Sequence, residues 1–287
     1  MKELVVISGK GGSGKTSMVS ALAHLAEKSV LCDADVDAAD LHLIMSPEIS
    51  ETHEFMAGHT ARINRELCTG CGRCIELCRW NAISRDFVVD PLECEGCGVC
   101  YYFCEEQAVE FPENLSGRWY ISKTRFGPLV HAKLGIAEEN SGKLVTRVRR
   151  EASKIADSDG CSLVITDGPP GVGCPVIAAI GGAAGVLIVT EPSVSGRHDM
   201  ERVAELARHF SVPAMVCINK YDLNESGTAK ILSTAEKQGI ACTGLVPFDP
   251  AVTKSMVHAQ TLFEYDPAAP ACQAVRKVWT QVLNHLA

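Results

Sequence analysis

No stretch of this sequence is apolar for long enough to span a bilayer. The longest nearly apolar run, Val176 to Val189, has 14 residues and is broken by three glycines, against about 20 for a spanning helix. Positive charge is short as well: 27 Lys and Arg face 35 Asp and Glu, a net charge of -8, which argues against nucleic-acid binding through a broad basic surface. Met1 to Ile7 lacks a basic region, an apolar signal core and a small-residue cleavage site, so no secretory signal is expected. The histidines show no H-x-x-x-H spacing that would suggest a metal site. Cysteine is abundant, but not in the manner of a disulfide scaffold: eight of the 14 fall within 37 positions at metal-ligand spacing. That usage fits a reducing compartment, and a cytoplasmic location is expected.

The first fifty residues read as strand (Glu3 to Ser8), Gly-rich loop, helix (Gly14 to Lys28) and strand (Val30 to Asp35), the opening of a parallel α/β sheet. From Gly58 to Pro112 the chain becomes Cys-rich and repeats itself at an offset of 26, CTGCGRCIELCRWNAI answering CEGCGVCYYFCEEQAV. Short extended stretches, Ala61 to Ile63 and Phe87 to Val89, precede the two halves. Strand-like runs then resume at Trp119 to Ser122, Ser162 to Thr166, Gly185 to Thr190, Ala214 to Asn219 and Cys242 to Val246. The expected fold is α/β: a mostly parallel P-loop sheet with helices on both faces (1–57 and 113–287) whose loop after the second strand is expanded into a small α+β domain (58–112).

Gly9-Lys10-Gly11-Gly12-Ser13-Gly14-Lys15-Thr16 contains G-x-x-x-x-G-K-T between a strand and a helix, the context a P-loop requires. Its backbone N–H groups converge on phosphate oxygens, Lys15 neutralises them, and Thr16 is placed to hold Mg²⁺, with Ser17 beside it. The early lysine, Lys10, makes this loop resemble the deviant Walker A loop of the MinD, ParA, Mrp and nitrogenase iron protein superfamily. That resemblance implies an ATPase in which Lys10 reaches a partner's nucleotide across a homodimer, or a heterodimer with a similar ATPase. It also implies that Asp35 positions the attacking water while Asp33 stands near Mg²⁺. Apolar Leu163 to Ile165 followed by Asp167 is a Walker B strand with its magnesium-holding acid, and D-x-P-P-G-x-G-C-P from Asp167 resembles Mrp-type proteins. Asn219-Lys220-Tyr221-Asp222 looks like an N-K-x-D turn; it reads guanine in GTPases, whereas MinD-like proteins place the Asn and Asp around adenine, and the deviant loop selects ATP. Glu191-Pro192-Ser193 resembles a family loop at the dimer face.

Cys68, Cys71, Cys74 and Cys78 form C-x2-C-x2-C-x3-C, repeated by Cys94, Cys97, Cys100 and Cys104. This is the pattern of bacterial two-cluster ferredoxins, in which the fourth cysteine of each run serves the other cluster. The expected ligand sets for two 4Fe-4S clusters are Cys68, Cys71, Cys74 with Cys104, and Cys94, Cys97, Cys100 with Cys78. Paired four-thiolate zinc sites are the alternative. Arg79 and Glu105 replace the usual proline, and the expectation is that Arg79 raises and Glu105 lowers the potential of the nearby cluster. The other cysteines read as small buried hydrophobes, with Cys174 singled out by its place after the Walker B loop.

Between Glu113 and Gly160 nine Lys and Arg oppose six Asp and Glu, a mildly basic stretch best read as the solvated face of a helix at Lys143 to Lys154. Ala271 to Leu286 is amphipathic with little positive charge, favouring a packed terminal helix over peripheral membrane attachment. Together these features resemble MinD-superfamily ATPases carrying a ferredoxin insert. The implied function is nucleotide-coupled assembly or delivery of a metallocluster to a client metalloprotein. An ATP-gated electron donor acting on a redox partner is the alternative, and a spatial-positioning ATPase a third possibility.

Overall fold

A computed structural model describes residues 1–135 and 141–287; Glu138 and Glu139 of the mildly basic stretch lie outside them. In chain order the elements are β1 (Lys2–Ile7), α1 (Lys15–Leu25), β2 (Ser29–Asp33), α2 (Leu41–Met45), β3 (Glu48–His59), β4 (Arg62–Ile63), α3 (Arg73–Leu77), α4 (Val99–Tyr102), β5 (Val109–Glu110), β6 (Glu113–Thr124) and β7 (Gly127–Leu134). They continue with α5 (Ser141–Asp159), β8 (Leu163–Asp167), α6 (Cys174–Ile180), β9 (Gly185–Thr190), α7 (Val194–His209), β10 (Ala214–Asn219), α8 (Glu225–Lys237), β11 (Ala241–Val246), α9 (Pro250–Val257), α10 (Leu262–Tyr265) and α11 (Pro270–Leu286). Nine strands form one sheet in the order β11-β10-β9-β1-β8-β2-β7-β6-β3. From β11 through β7 every neighbouring pair is parallel.

The central strands are continuous apolar runs because both their faces are covered; Leu4, Val5, Val6 and Ile7 of β1 are fully buried. α1 and α11 pack on one cluster of the core. Along α11 the buried Cys272, Val275, Val278, Trp279, Val282 and Leu286 recur at helical spacing, so its apolar stripe is used inside the fold. No helix among the described residues is long and apolar enough to cross a membrane.

The chain divides into two compact units. One holds Met1–His53, Trp119–Lys133 and Ser141–Ala287; the other holds Glu54–Arg118 and the residues just after Lys133. The chain passes between them within β3, within β6 and again at the end of β7. The segment after the second strand is therefore more than a loop: α2 and all of β3 intervene before the first cysteine. β3 escaped the sequence reading because most of its residues are polar and exposed, leaving no apolar run to mark it. β7, Gly-Pro-Leu-Val-His-Ala-Lys-Leu, was also missed.

The second unit is duplicated in its backbone. Gly70, Gly72 and Asn81 have positive φ, and so do Gly96, Gly98 and Gln107, each 26 residues on. The pairing is exchanged between the halves. Ile63 of β4 lies opposite Val109 of β5, while Val89 lies opposite Ile83. Likewise Asn64 N–H donates to Ala108 O at 2.8 Å and Asp90 N–H donates to Ala82 O at 2.7 Å.

In the first unit, β6 and β7 are joined by Arg125 and Phe126, too short a link for a crossover, so they form a hairpin. At its tip the Arg125 guanidinium donates to both carboxylate oxygens of Glu264, at 2.6 and 2.8 Å, and to the carbonyls of Met45, Ile44 and Ala259. This hydrogen bonding to Arg125 draws the Glu264 carboxyl down from its usual 4.5 to about 2. Because the folded value lies below the unfolded one, the stabilisation is complete above about pH 4.5 and fades as pH falls toward 2. Arg125→Ala is expected to cost about 1.5–3 kcal/mol at pH 7. Urea unfolding should show that difference narrowing, without vanishing, in acid; a difference independent of pH would refute the role given to Glu264.

Candidate functional site: a P-loop with three buried carboxylates, and two cysteine clefts

β8 is paired between β1 and β2, and in that register Asp167 stands opposite Val6 on one side and Asp33 on the other. The P-loop follows β1 and the Asp33 to Asp40 turn follows β2, so both leave the sheet at the edge where β8 ends in Asp167. The loop's geometry depends on glycine. Gly14 sits at φ 91°, the left-handed region, and a Cβ there would lie 2.3 Å from Asn219 Nδ2. A Cβ on Gly9 would lie 1.9 Å from Asp199 Cβ. Gly11 and Gly12 have open space where a Cβ would stand, leaving their backbone approachable.

Lys15 is buried and bonds Asp167 Oδ1 at 2.5 Å and Asp35 Oδ2 at 3.2 Å. Asp33, fully buried, accepts the backbone N–H groups of Asp35 and Leu41. Burial alone would pull the Lys15 ammonium down, but Asp167 and then Asp35 carry it above its usual value. Burial, followed by the Asp167 charge, pushes the Asp33 carboxyl well up, and burial also raises Asp35 despite Lys15. Asp167 Oδ2 is buried without a hydrogen-bond partner. Asp33, Asp35 and Asp167 thus lie near one ammonium, and the orphaned Asp167 Oδ2 is an oxygen donor of the kind a hard divalent cation takes. Thr16, half-buried at the start of α1, is the remaining oxygen donor named from the sequence.

Lys10 bonds Glu191 at 2.7 Å and Ser195 Oγ at 3.1 Å within its own chain. Its hydrogen bond holds the Glu191 carboxyl below its usual value, with Lys220 contributing. Lys220 donates to Gly12 O at 2.9 Å and Asn219 Nδ2 to Ser13 O at 2.8 Å, so this turn props the P-loop. Asp222 accepts the N–H of Phe248 at 2.7 Å. An apolar cleft lined by Gly14, Ser17, Asn219, Val246, Val252 and Met256 opens beside the loop. Val246, Val252 and Met256 gave no signal in the sequence, being ordinary apolar residues until the fold brings β11 and α9 to the loop.

In the second unit, two clefts gather the cysteines. One is lined by Cys68, Cys71, Cys74 and Cys104, the other by Cys78, Cys94 and Cys97, with Cys100 on both. Burial, then Cys68, raises the Cys74 thiol; burial, then Cys94, pushes Cys100 up to about 11. Thiolates so placed call for positive charge. The sulfurs ring the clefts and do not meet at a point: among the described residues no three His, Cys, Asp or Glu side chains converge to hold a single metal ion. Glu105 is paired with Arg73 at 2.6 Å, and Arg79 lies 5.7 Å from the Trp80 ring. Elsewhere Cys32, Cys161, Cys217 and Cys272 are buried, but Cys242 and Cys174 are exposed; Cys242 departs from the expected burial because β11 is the edge strand.

A parallel sheet with a Gly-rich loop, buried lysine and paired acids at one edge defines a P-loop nucleotide-binding protein. The model of the CobQ/CobB/MinD/ParA nucleotide-binding domain matches residues 4–262, and the chain belongs to this family of ATP-binding P-loop proteins. An uncharacterized protein of Methanocaldococcus jannaschii is 36% identical over 225 residues, covering 77% of this chain and 79% of its own. An uncharacterized ATP-binding protein of the same organism is 24% identical over 285 residues, covering 98% and 87%. The septum site-determining protein MinD of Pyrococcus horikoshii, solved with Mg-ADP, shares the fold at a TM-score of 0.61 and 15% identity, over 98% of this chain and 95% of that one.

Lys15 is the cation that offsets three buried carboxylates, so Lys15→Met is expected to cost about 3–5 kcal/mol near neutral pH. With their folded values raised, Asp33 and Asp35 oppose folding increasingly as pH rises above the ordinary carboxylate range. The deficit should therefore shrink at pH 5, where protonation removes the repulsion. Equal deficits at pH 5 and pH 7.5 in urea unfolding would show that charge is not its source.

Proposed function

We propose that this protein is an ATP-hydrolysing, ATP-dependent dimer that couples nucleotide state to assembly or delivery of a metallocluster to a client protein. The observation that carries the reading is that one chain joins a complete P-loop acid cluster to two clefts lined by C-x2-C-x2-C-x3-C cysteines. Backbone N–H groups from Gly9 to Gly14 cradle the phosphates, and Lys15 exchanges its carboxylate partners for β- and γ-oxygens. Thr16, Asp33 and Asp167 would hold Mg²⁺, which would supply positive charge against the phosphates, and the partnerless Asp167 Oδ2 fits that role. Asp35 orients the attacking water. The base occupies the apolar cleft at Asn219, with Asp222 beyond it. Lys10 leaves Glu191 to reach a partner's nucleotide, so dimer formation and nucleotide binding favour each other.

Cys68, Cys71, Cys74 and Cys104 would hold one four-iron cluster, and Cys94, Cys97, Cys100 and Cys78 the other. Such clusters, when bound, supply one-electron chemistry or are themselves the cargo. The electron-donor reading uses the same residues with the clusters retained. A positioning role is favoured by the likeness to septum site-determining MinD, but the apolar face of α11 is occupied in the core.

Anaerobically reconstituted protein should hydrolyse ATP, whereas Lys15→Ala and Asp35→Ala should lose at least about a hundredfold in rate while keeping iron content and visible absorbance. Persistent turnover in both variants would sink the site assignment. With an apo-ferredoxin as acceptor, iron gained by the acceptor supports delivery. Reduction of an oxidised holo-ferredoxin by protein pre-reduced with dithionite and desalted, with iron retained by the donor, supports electron transfer, and ATP-dependent liposome pelleting with neither supports positioning.

A further inference from the structure

The two cysteine runs share one backbone plan but carry opposite charge. Residues 65–85 contain four arginines and two glutamates; the equivalent window 26 residues on, 91–111, contains five glutamates and neither lysine nor arginine. Where the first run has Ile75, Glu76 and Leu77, the second has Tyr101, Tyr102 and Phe103, and Arg79 and Trp80 are answered by Glu105 and Glu106. Packing accounts for Tyr101, which stacks on Phe111 at 5.7 Å. Tyr102, which meets the Tyr101 ring edge-on at 5.3 Å, is nonetheless 78% exposed, and Phe103, with the Arg73 guanidinium 5.9 Å from its ring, is 53% exposed. Two of the carboxylates have basic neighbours: Glu105 pairs with Arg73, and Glu110 lies opposite Arg62. Glu95 and Glu106 are exposed. Glu106 lines one cysteine cleft with Phe103, and Glu95 lines the other with Val99 of α4.

Aromatic side chains held in water beside a charged rim have the composition of a protein interface, where such residues act as anchors. Carboxylates on that rim repel phosphate, which sets nucleic acid and anionic lipid against it. We propose that the α4 face, with Tyr102 and Phe103 at its centre and Glu95 and Glu106 beside the two clefts, docks a protein partner that presents lysines and arginines around an apolar hollow. The proposal names the kind of client the function above requires, and rests on that reading only for what crosses the interface.

The test uses the full-length reconstituted protein and cytochrome c, a basic haem protein, as probe. Affinity measured by calorimetry should fall at least about tenfold between low and about 300 mM salt. Tyr102→Ala and Glu106→Lys should each weaken low-salt binding by about fivefold or more. Glu76→Lys, at the position equivalent to Tyr102, should change it by less than about twofold, with far-UV circular dichroism unchanged in all three. An equal loss from Glu76→Lys, no binding at low salt, or equally tight binding of duplex DNA or phosphatidylserine vesicles would overturn the proposal. Stopped-flow mixing of ferric probe with protein first reduced by dithionite and freed of excess reductant separates the two readings. Binding that follows the pattern without electron transfer retains the docking face and removes the redox role; transfer at one rate in every variant does the reverse.

Discussion

The hydrogen-bonded register of β8 between β1 and β2 is the constraint from which the nucleotide site follows. It sets Asp167 level with Val6 and Asp33, so that a loop leaving β1 and a turn leaving β2 meet at one acid. That register is held by parallel ladders on both sides of β8, and the strands are buried on both faces in the core that gives the sheet its stability. Lys15, carried in by the first turn of α1, then finds two carboxylates within bonding distance. A site of this kind is stable yet electrostatically unfinished, since one ammonium faces three acids, and that excess of negative charge is what a divalent cation would offset.

Much of this was legible in the sequence, for a physical reason. The P-loop, the Walker B acid and the cysteine runs are local patterns whose chemistry depends on spacing along the chain, and the buried parallel strands announce themselves as apolar runs. What was illegible depends on residues distant in sequence. Nothing near Arg125 predicts that it will gather the carbonyls of Ile44, Met45 and Ala259, and nothing near Glu191 predicts that it will hold Lys10. β3 hid for another reason: its exposed polar residues carry no hydrophobic period. The N-K-x-D turn was read as a base-binding element, and its Asn219 and Lys220 are placed to support the phosphate loop from outside.

Arg125 also gives α2 a significance its five residues do not suggest. This short helix follows the acidic turn from Asp33 to Asp40, and its last carbonyls are held by the tip of the β6–β7 hairpin, whose strand β6 is also where the chain returns from the second unit. A displacement of the turn would strain bonds that end on that hairpin. Such a chain of discrete contacts is the form of coupling that rigid elements can transmit.

The exchanged pairing of the second unit has a consequence for its history and its tolerance of change. Each half lends its last cysteine, and one strand of a bridge, to surroundings built mainly by the other. Neither half is a self-sufficient module that could be lost, shuffled or truncated alone, and a lesion in one is felt in both clefts. Yet the surfaces of the halves are not bound by that interdependence. Their interiors are obliged to remain copies while their exteriors are free to diverge, which is how a duplicated scaffold comes to present two unlike faces.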